Sequence, residues 1–275
     1  MNLKKPSIHN LILDMDGVLW HGETPMPGLV AFFTTLDAAG IGYILATNNA
    51  TKTAVMYTER LRRFGVDIPP DKILTSAEAT ATYLARRYEA GSPIYVIGAK
   101  GLHDAVTDQG FRVVGPAEVR SGGTAAAVVA GLSPQLTYEE LAMGAHLVNQ
   151  GVPFVGTNPD PTFPSEIGPL PGAGAVLAFI SAATGIEPII IGKPGAIVFR
   201  EAVRRLGGDE TTVAMVGDRL STDIYGAKAA GLRAILVLSG ISTREEAEAG
   251  PVQPDFIFDD ITQLASFLTR EQAIV

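Results

Sequence analysis

Two carboxylates one residue apart close an apolar run: Leu11-Ile12-Leu13-Asp14-Met15-Asp16-Gly17. The branched apolar residues read as a buried strand. Its carboxyl end is where open parallel sheets bind ligands. Alternate residues of an extended chain point the same way, so Asp14 and Asp16 would face one pocket. Carboxylates that close repel, which favours a cation between them or one raised pKa. Gly17 lets the backbone turn sharply away. An ordinary strand followed by an Asp-Gly turn fits the same stretch. A calcium loop of the helix-loop-helix kind does not, because it needs Gly at its sixth place and Glu at its twelfth. This chain has Leu19 and Pro25 there.

Three more apolar runs end in polar residues: Thr47-Asn48 after Ile41–Ala46, Lys193 after Ile189–Ile191, and Asp218 after Val213–Val216. In a parallel sheet such ends share one edge. Carboxylates bind Mg²⁺ through oxygen. A hydroxyl, a backbone N–H and a lysine ammonium together suit a phosphoryl group. Asp14 is then a candidate nucleophile and Asp16 a candidate general acid and base. Each position has a plainer reading in isolation. Thr47 and Asn48 could open a turn, Lys193 could face solvent, and Asp218 and Asp223 could be acids favoured beside a helix N-terminus. Their joint occurrence in one chain favours the functional reading.

The elements that must carry these residues alternate. Strands are expected at Leu11–Leu13, Ile41–Ala46 and Ile73–Thr75, with helices at Leu29–Ala39, from a Thr51 cap to Phe64, and from a Ser76 cap to Tyr88. That β-α-β-α order is the signature of a parallel sheet. A middle stretch has its own strands at Ile94–Gly98, Phe111–Val114, Ala125–Ala130 and Pro153–Gly156, and helices at Lys100–Gln109 and Tyr138–Gln150. The first style then resumes, with helices at Ala173–Ala183 and Ala196–Leu206, strands at Ile189–Gly192 and Thr212–Val216, and a helix running to Ala230. Strands at Arg233–Leu238 and Phe256–Phe258 and a closing helix from Ile261 complete the pattern. Trp20–Gly28 and Thr157–Pro164 are dense in Gly or Pro and read as loops. Glu245–Glu248 reads as a solvated helix face. Gly172-Ala173-Gly174 lacks the third glycine of a dinucleotide fingerprint, so close helix packing is the better reading.

The chain has 275 residues, 47% of them hydrophobic, enough for one large or two modest domains. No stretch has the length and uninterrupted apolarity of a membrane span. No signal-peptide pattern follows Lys4 and Lys5. With no cysteine, disulfides, thiol nucleophiles and cysteine-ligated zinc are excluded, and a cytoplasmic location is expected. A net charge of −8 disfavours nucleic-acid binding. It leaves room for a small anionic substrate, because a metal and one lysine can invert the local field.

The four strand-end segments, in this order, resemble the motifs of the haloacid dehalogenase superfamily. Asp14-Met15-Asp16-Gly17 resembles the first, Thr47-Asn48 the second, Lys193 the third, and Gly217-Asp218-Arg219-Leu220-Ser221-Thr222-Asp223 the fourth. The insert between the second and third resembles the α/β cap of the subfamily that includes the NagD and 4-nitrophenyl phosphatases. Gly156–Asp160 and Gly172–Ala175 add to that likeness.

The resemblance implies an α/β fold: a doubly wound parallel-sheet core at 1–77 plus 185–275, with an inserted α/β cap at 78–184. It implies Mg²⁺-dependent hydrolysis of a small phosphorylated metabolite through an aspartyl phosphate on Asp14, with Asp16 as acid and base. Thr47, the Asn48 backbone N–H and Lys193 would hold the phosphoryl group. Asp14, the Asp16 carbonyl and Asp218 would hold the metal, with Asp223, Gly17, Asn49 and Gly217 in support. His21, Asn158 and Asp160 are candidate substrate contacts, and Trp20 either lines the pocket or packs the loop. A phosphometabolite-binding protein without catalysis and a phosphotransferase relative are the alternatives. The substrate and the oligomeric state, a homodimer included, stay open.

Overall fold

Leu11, Ile12 and Leu13 are fully buried, as a strand covered on both faces must be. They form the centre of a computed structural model that describes residues 8–165 and 167–272. In chain order the strands begin with β1 (Asn10–Leu13), β2 (Trp20–His21), β3 (Thr24–Pro25), β4 (Gly42–Thr47) and β5 (Ile73–Thr75). There follow β6 (Pro93–Ile97), β7 (Arg112–Val114), β8 (Ala127–Ala130), β9 (Phe154–Gly156), β10 (Thr162–Phe163), β11 (Leu170–Pro171) and β12 (Ile189–Ile190). The last are β13 (Val213–Gly217), β14 (Arg233–Val237) and β15 (Phe256–Phe258).

Two compact units divide the chain. The first takes residues 8–47, 54–74 and 199–272, and the second takes 48–53 and 75–198. The first holds a six-stranded sheet of order β15-β14-β13-β1-β4-β5. Its β1 pairs in parallel with both β4 and β13. The chain fills one half of this sheet outward from β1 and the other outward from β13, so the strand order reverses between those two strands. Open α/β sheets bind ligands beside such a reversal, at the carboxyl ends of the strands. Asp14 and Asp218 follow directly from the ends of these two strands. The core around the sheet includes Trp20, Phe32, Tyr57 and Leu264.

The second unit has a five-stranded parallel sheet of order β12-β9-β8-β6-β7. Its core includes Tyr95, Val128, Leu147 and Ile180. The sequence reading groups 185–275 with the first sheet, but β12 pairs with β9 in the second, and the second unit runs on to Val198. The helix Tyr138–Asn149 starts with a reciprocal cap: Glu140 N–H donates to Thr137 Oγ1 at 3.2 Å, and Thr137 N–H to Glu140 Oε2 at 2.8 Å. Among the described residues no helix is long and apolar enough to cross a membrane.

Several local expectations are corrected. Trp20–Gly28 contains the antiparallel pair β2–β3, and the proline-rich loop contributes β10, which pairs with β11. Two-residue strands carry too little periodicity to show in sequence. Pro116–Arg120 forms a short helix with proline in its first turn, a position whose N–H needs no helical partner. Thr51 caps nothing. Its N–H and Oγ1 both donate to Asn49 Oδ1, and the helix begins three residues later, at Ala54. Thr75 rather than Ser76 caps the next helix, because only Thr75 has the extended backbone a cap requires. Beyond Asp218 a π turn at Leu220–Ile224 precedes the helix Tyr225–Ala229.

Candidate active site

The acids of the first unit sit where the end of β1 meets the end of β13. Asp14 N–H donates to Val216 O at 2.9 Å, which prolongs the β1–β13 ladder past the strand. Met15 is fully buried between two more accessible acids, as the alternation of an extended chain dictates. The chain then folds back through Met15–Trp20, with Gly17 N–H on Trp20 O at 2.8 Å and Leu19 N–H on Met15 O at 2.8 Å. Gly17 has φ +87°, a region that favours glycine.

Carboxylate oxygens of Asp14, Asp218 and Asp223 all lie within 4.8 Å of one another. Asp218 and Asp223 are both buried. Asp218 Oδ2 accepts the Ile241 N–H at 2.9 Å, and Asp223 Oδ2 accepts the Arg219 N–H at 3.1 Å across the π turn. Turns of that kind are frequent at functional sites. The loop after β14 completes the surround. Ser242 N–H donates to the Asp218 carbonyl at 3.0 Å, and Ser239 Oγ to the Gly17 carbonyl at 2.8 Å. A side chain at Gly17 would meet Asp218 Oδ2 at 2.5 Å, and side chains at Gly240 and Gly217 would overlap Asp218 and Asp223 respectively. The carboxylates are thus cradled by backbone. Three hard oxygen donors with no sulfur or nitrogen fit Mg²⁺ or Ca²⁺ and not a soft metal.

Asp16 takes a different partner. Its Oδ1 accepts the Trp20 indole N–H at 2.7 Å. Thr47 is buried at the end of β4, and the Tyr57 phenol is buried on the helix Ala54–Arg63. Burial first, and then the Asp16 charge, push that phenol well above its ordinary range, so it is neutral. His21 Nε2 bonds the Ser239 carbonyl at 2.5 Å, tying β2 to the loop after β14.

In the second unit Asn48 is the hub. Its Oδ1 accepts the Lys193 N–H at 2.8 Å, and its Nδ2 donates to Lys193 O at 2.8 Å and to Asp160 Oδ2 at 3.0 Å. The Asn48 carbonyl accepts from Ser76 Oγ at 2.5 Å and from Asn158 Nδ2 at 2.7 Å. Asn158 Oδ1 in turn accepts the Asp160 N–H at 3.1 Å. A side chain at Gly192 would meet Asn48 Oδ1 at 2.7 Å. A side chain at Gly172 or Gly174 would overlap the loop backbone at Asp160 or Pro159, which is the close packing expected of that glycine pair. Lys193 is buried. Asn49 Oδ1 accepts from the Thr51 N–H and Oγ1, within the segment 48–53 of the same unit.

Residues missed in sequence are Tyr57, Gly240, Ser242 and the Trp20–Asp16 bond. The polar Ser239-Gly240 pair after an apolar strand was a readable signal of the same type as the four strand ends. Tyr57, in the middle of an amphipathic helix, offered none.

Comparison with known proteins places this architecture. Residues 11–112 match the family model of haloacid dehalogenase-like hydrolases, and residues 190–264 a HAD-hydrolase-like model. An acid sugar phosphatase from Staphylococcus aureus is 37% identical over 259 residues, covering 94% of this chain and 97% of that protein. Among solved structures, a 4-nitrophenylphosphatase from Thermotoga maritima superposes with TM-score 0.87 at 35% identity, over 94% of this chain and 97% of its own. NagD from E. coli K-12 gives TM-score 0.86 at 31% identity, over 94% and 98%.

Proposed function

Because this chain belongs to the haloacid dehalogenase-like hydrolases, in the NagD-like subfamily of phosphoric monoester hydrolases, we propose that it hydrolyses a small phosphomonoester through an aspartyl phosphate in a Mg²⁺-dependent reaction. The observation that carries this reading is the cluster of Asp14, Asp218 and Asp223 at the strand-order reversal, with Asp16 two residues beyond Asp14. Mg²⁺ bound by Asp14, the Asp16 carbonyl and Asp218, with Asp223 in support, would screen nucleophile from phosphate and stabilise transition-state charge.

In this mechanism an Asp14 oxygen forms a bond to phosphorus as the bond from phosphorus to the alkoxy oxygen breaks. Asp16 gives its proton to that leaving oxygen. A water molecule then attacks the phosphorus of the acyl phosphate and loses a proton to Asp16, releasing inorganic phosphate and regenerating Asp14. Thr47, the Asn48 backbone N–H and the Lys193 ammonium orient the phosphoryl oxygens and offset their charge. Such a set goes beyond what binding alone requires, because a receptor for phosphometabolites has no use for a proton donor beside a nucleophile. A phosphotransferase would instead pass the acyl phosphate to an acceptor alcohol, and release of inorganic phosphate from the ester alone distinguishes hydrolysis from it. We assign the second unit the part of the subfamily's cap domain, which sets the choice among substrates.

The sugar phosphates are the substrate class to test first, because the acid sugar phosphatase relative matches nearly end to end. Phosphate release from a panel of sugar phosphates, nucleoside monophosphates and 4-nitrophenyl phosphate, with Mg²⁺ and with EDTA, decides the matter. Activity that persists in EDTA would remove the metal from the reaction, and no release from any ester would overturn the phosphatase reading.

A further inference from the structure

The Asp16 carboxyl lies at an exposed turn, where a free side chain would sample several rotamers. It does not sit free. The Trp20 indole N–H donates to Asp16 Oδ1 at 2.7 Å. Trp20 is the only tryptophan in the chain and is fully buried. Its ring is held from several sides. The Arg60 guanidinium lies 4.5 Å from the ring centroid, the Tyr57 ring stacks at 6.3 Å with planes 19° apart, and Phe64 lies at 6.0 Å. Arg60 is itself buried, and its Nη2 reaches Glu23 Oε1 at 3.5 Å. A buried cation over an indole face is an expensive arrangement unless the stacking compensates for lost hydration.

We infer that Trp20, clamped by Arg60 and Tyr57, is a positioning residue that fixes the orientation of the Asp16 carboxyl for proton transfer to the leaving oxygen. The inference rests on the phosphatase reading. An indole N–H is a donor only. The Asp16 oxygen facing it is therefore held as an acceptor, and the transferable proton sits on Oδ2. The ring serves as a rigid rod between the packed helix Ala54–Arg63 and the turn at Asp16, so the acid inherits the order of the core. Phenylalanine keeps an aromatic ring at this position but lacks the N–H.

The test compares Trp20→Phe with the wild type on an alkyl ester, glycerol 2-phosphate, and on 4-nitrophenyl phosphate, whose leaving group needs little protonation. The expected result is a fall in kcat/KM, which reads only the phosphorylation half-reaction, of about tenfold or more on the alkyl ester and under about threefold on the nitrophenyl ester. The Mg²⁺ concentration for half-maximal rate should hold. An equal fall on both esters would overturn the inference and leave Trp20 as packing.

A second measurement does not depend on that variant folding. The single indole N–H resonance should shift upfield and exchange faster with water in Asp16→Ala than in the wild type. An indole resonance unmoved by Asp16→Ala would also overturn the inference. A wild type inert toward both esters is a different failure, since it removes the phosphatase reading and with it any task for the Asp16 proton.

Discussion

The side-chain amide of Asn48 pairs with the backbone of Lys193 as a neighbouring strand would, receiving the N–H at 2.8 Å and returning an N–H to the carbonyl at 2.8 Å. Both peptide groups of this short loop after β12 are thereby satisfied by one side chain. That is a strong constraint in a buried setting, where an unmade bond costs about 1–3 kcal/mol. Asn158 and Asp160 brace the same hub, one on the Asn48 carbonyl and one on its Nδ2. Their side chains are committed to holding Asn48, and through it the Lys193 backbone.

Asn158→Ala and Asp160→Ala therefore test two roles for the proline-rich loop. If the loop acts through Asn48 and Lys193, every phosphomonoester loses kcat/KM by one common factor, about tenfold, or roughly 1.4 kcal/mol in barrier. The ranking of esters then stays as in the wild type. A changed ranking would instead put Asn158 or Asp160 in contact with the part of the substrate that differs between esters.

Asp14→Asn should leave the fold intact and abolish turnover, because an amide cannot serve as this nucleophile. It also relieves repulsion among three carboxylates within 4.8 Å, so the melting temperature in EDTA should hold or rise. Turnover within about tenfold of wild type would rule out the covalent route.

Asp260 offers a prediction about pH and stability. It caps the helix Ile261–Gln272, with Oδ1 accepting the Thr262 N–H at 2.8 Å and the Gln263 N–H at 3.0 Å. Partial burial raises its pKa, but the bonds from Thr262 and Gln263 outweigh it and hold the carboxyl below its usual range. The folded state thus binds its proton less readily than the unfolded chain. The stabilisation is complete above the unfolded pKa near 3.8 and is lost as pH falls through that value and below. Asp260→Ala should cost about 1 kcal/mol at neutral pH. Denaturant midpoints for wild type and variant should converge as the pH is lowered below about 4, and a gap constant down to pH 3 would refute the charged cap.

What the sequence disclosed here follows from the range of the forces involved. Asp14, Thr47, Lys193 and Asp218 were visible because a buried strand has a one-dimensional signature and the next polar residue falls at its carboxyl end. The division at Val198 was not visible, since membership of a sheet is decided by which strand β12 pairs with, and Ile189–Ile191 would suit either. Asn158 and Asp160 were noticed as polar residues in a stiff loop. Their partner Asn48 lies 110 and 112 positions away in sequence, beyond the reach of any local pattern. The Trp20–Asp16 bond spans four residues, but the turn that makes it depends on Gly17 lying against the side chain of Asp218.

Gly240 leads to the last prediction, which concerns the metal. Its φ is not in the left-handed region, so alanine is permitted by the backbone. The added methyl would nonetheless overlap the Asp218 carboxylate. That carboxylate also accepts the Ile241 N–H, so it cannot rotate away without giving up a buried bond. Gly240→Ala should therefore displace a metal-holding oxygen while leaving Asp14 and Asp16 in place. The expected signature is a Mg²⁺ requirement raised by about tenfold or more, roughly 1.4 kcal/mol of binding, with kcat recovering at saturating metal. Asp14→Asn should show the opposite pattern, with no recovery at any Mg²⁺ concentration. Calorimetric titration of Mg²⁺ into both variants reads the binding directly. If Gly240→Ala bound Mg²⁺ as tightly as wild type, Asp218 would not be a metal ligand.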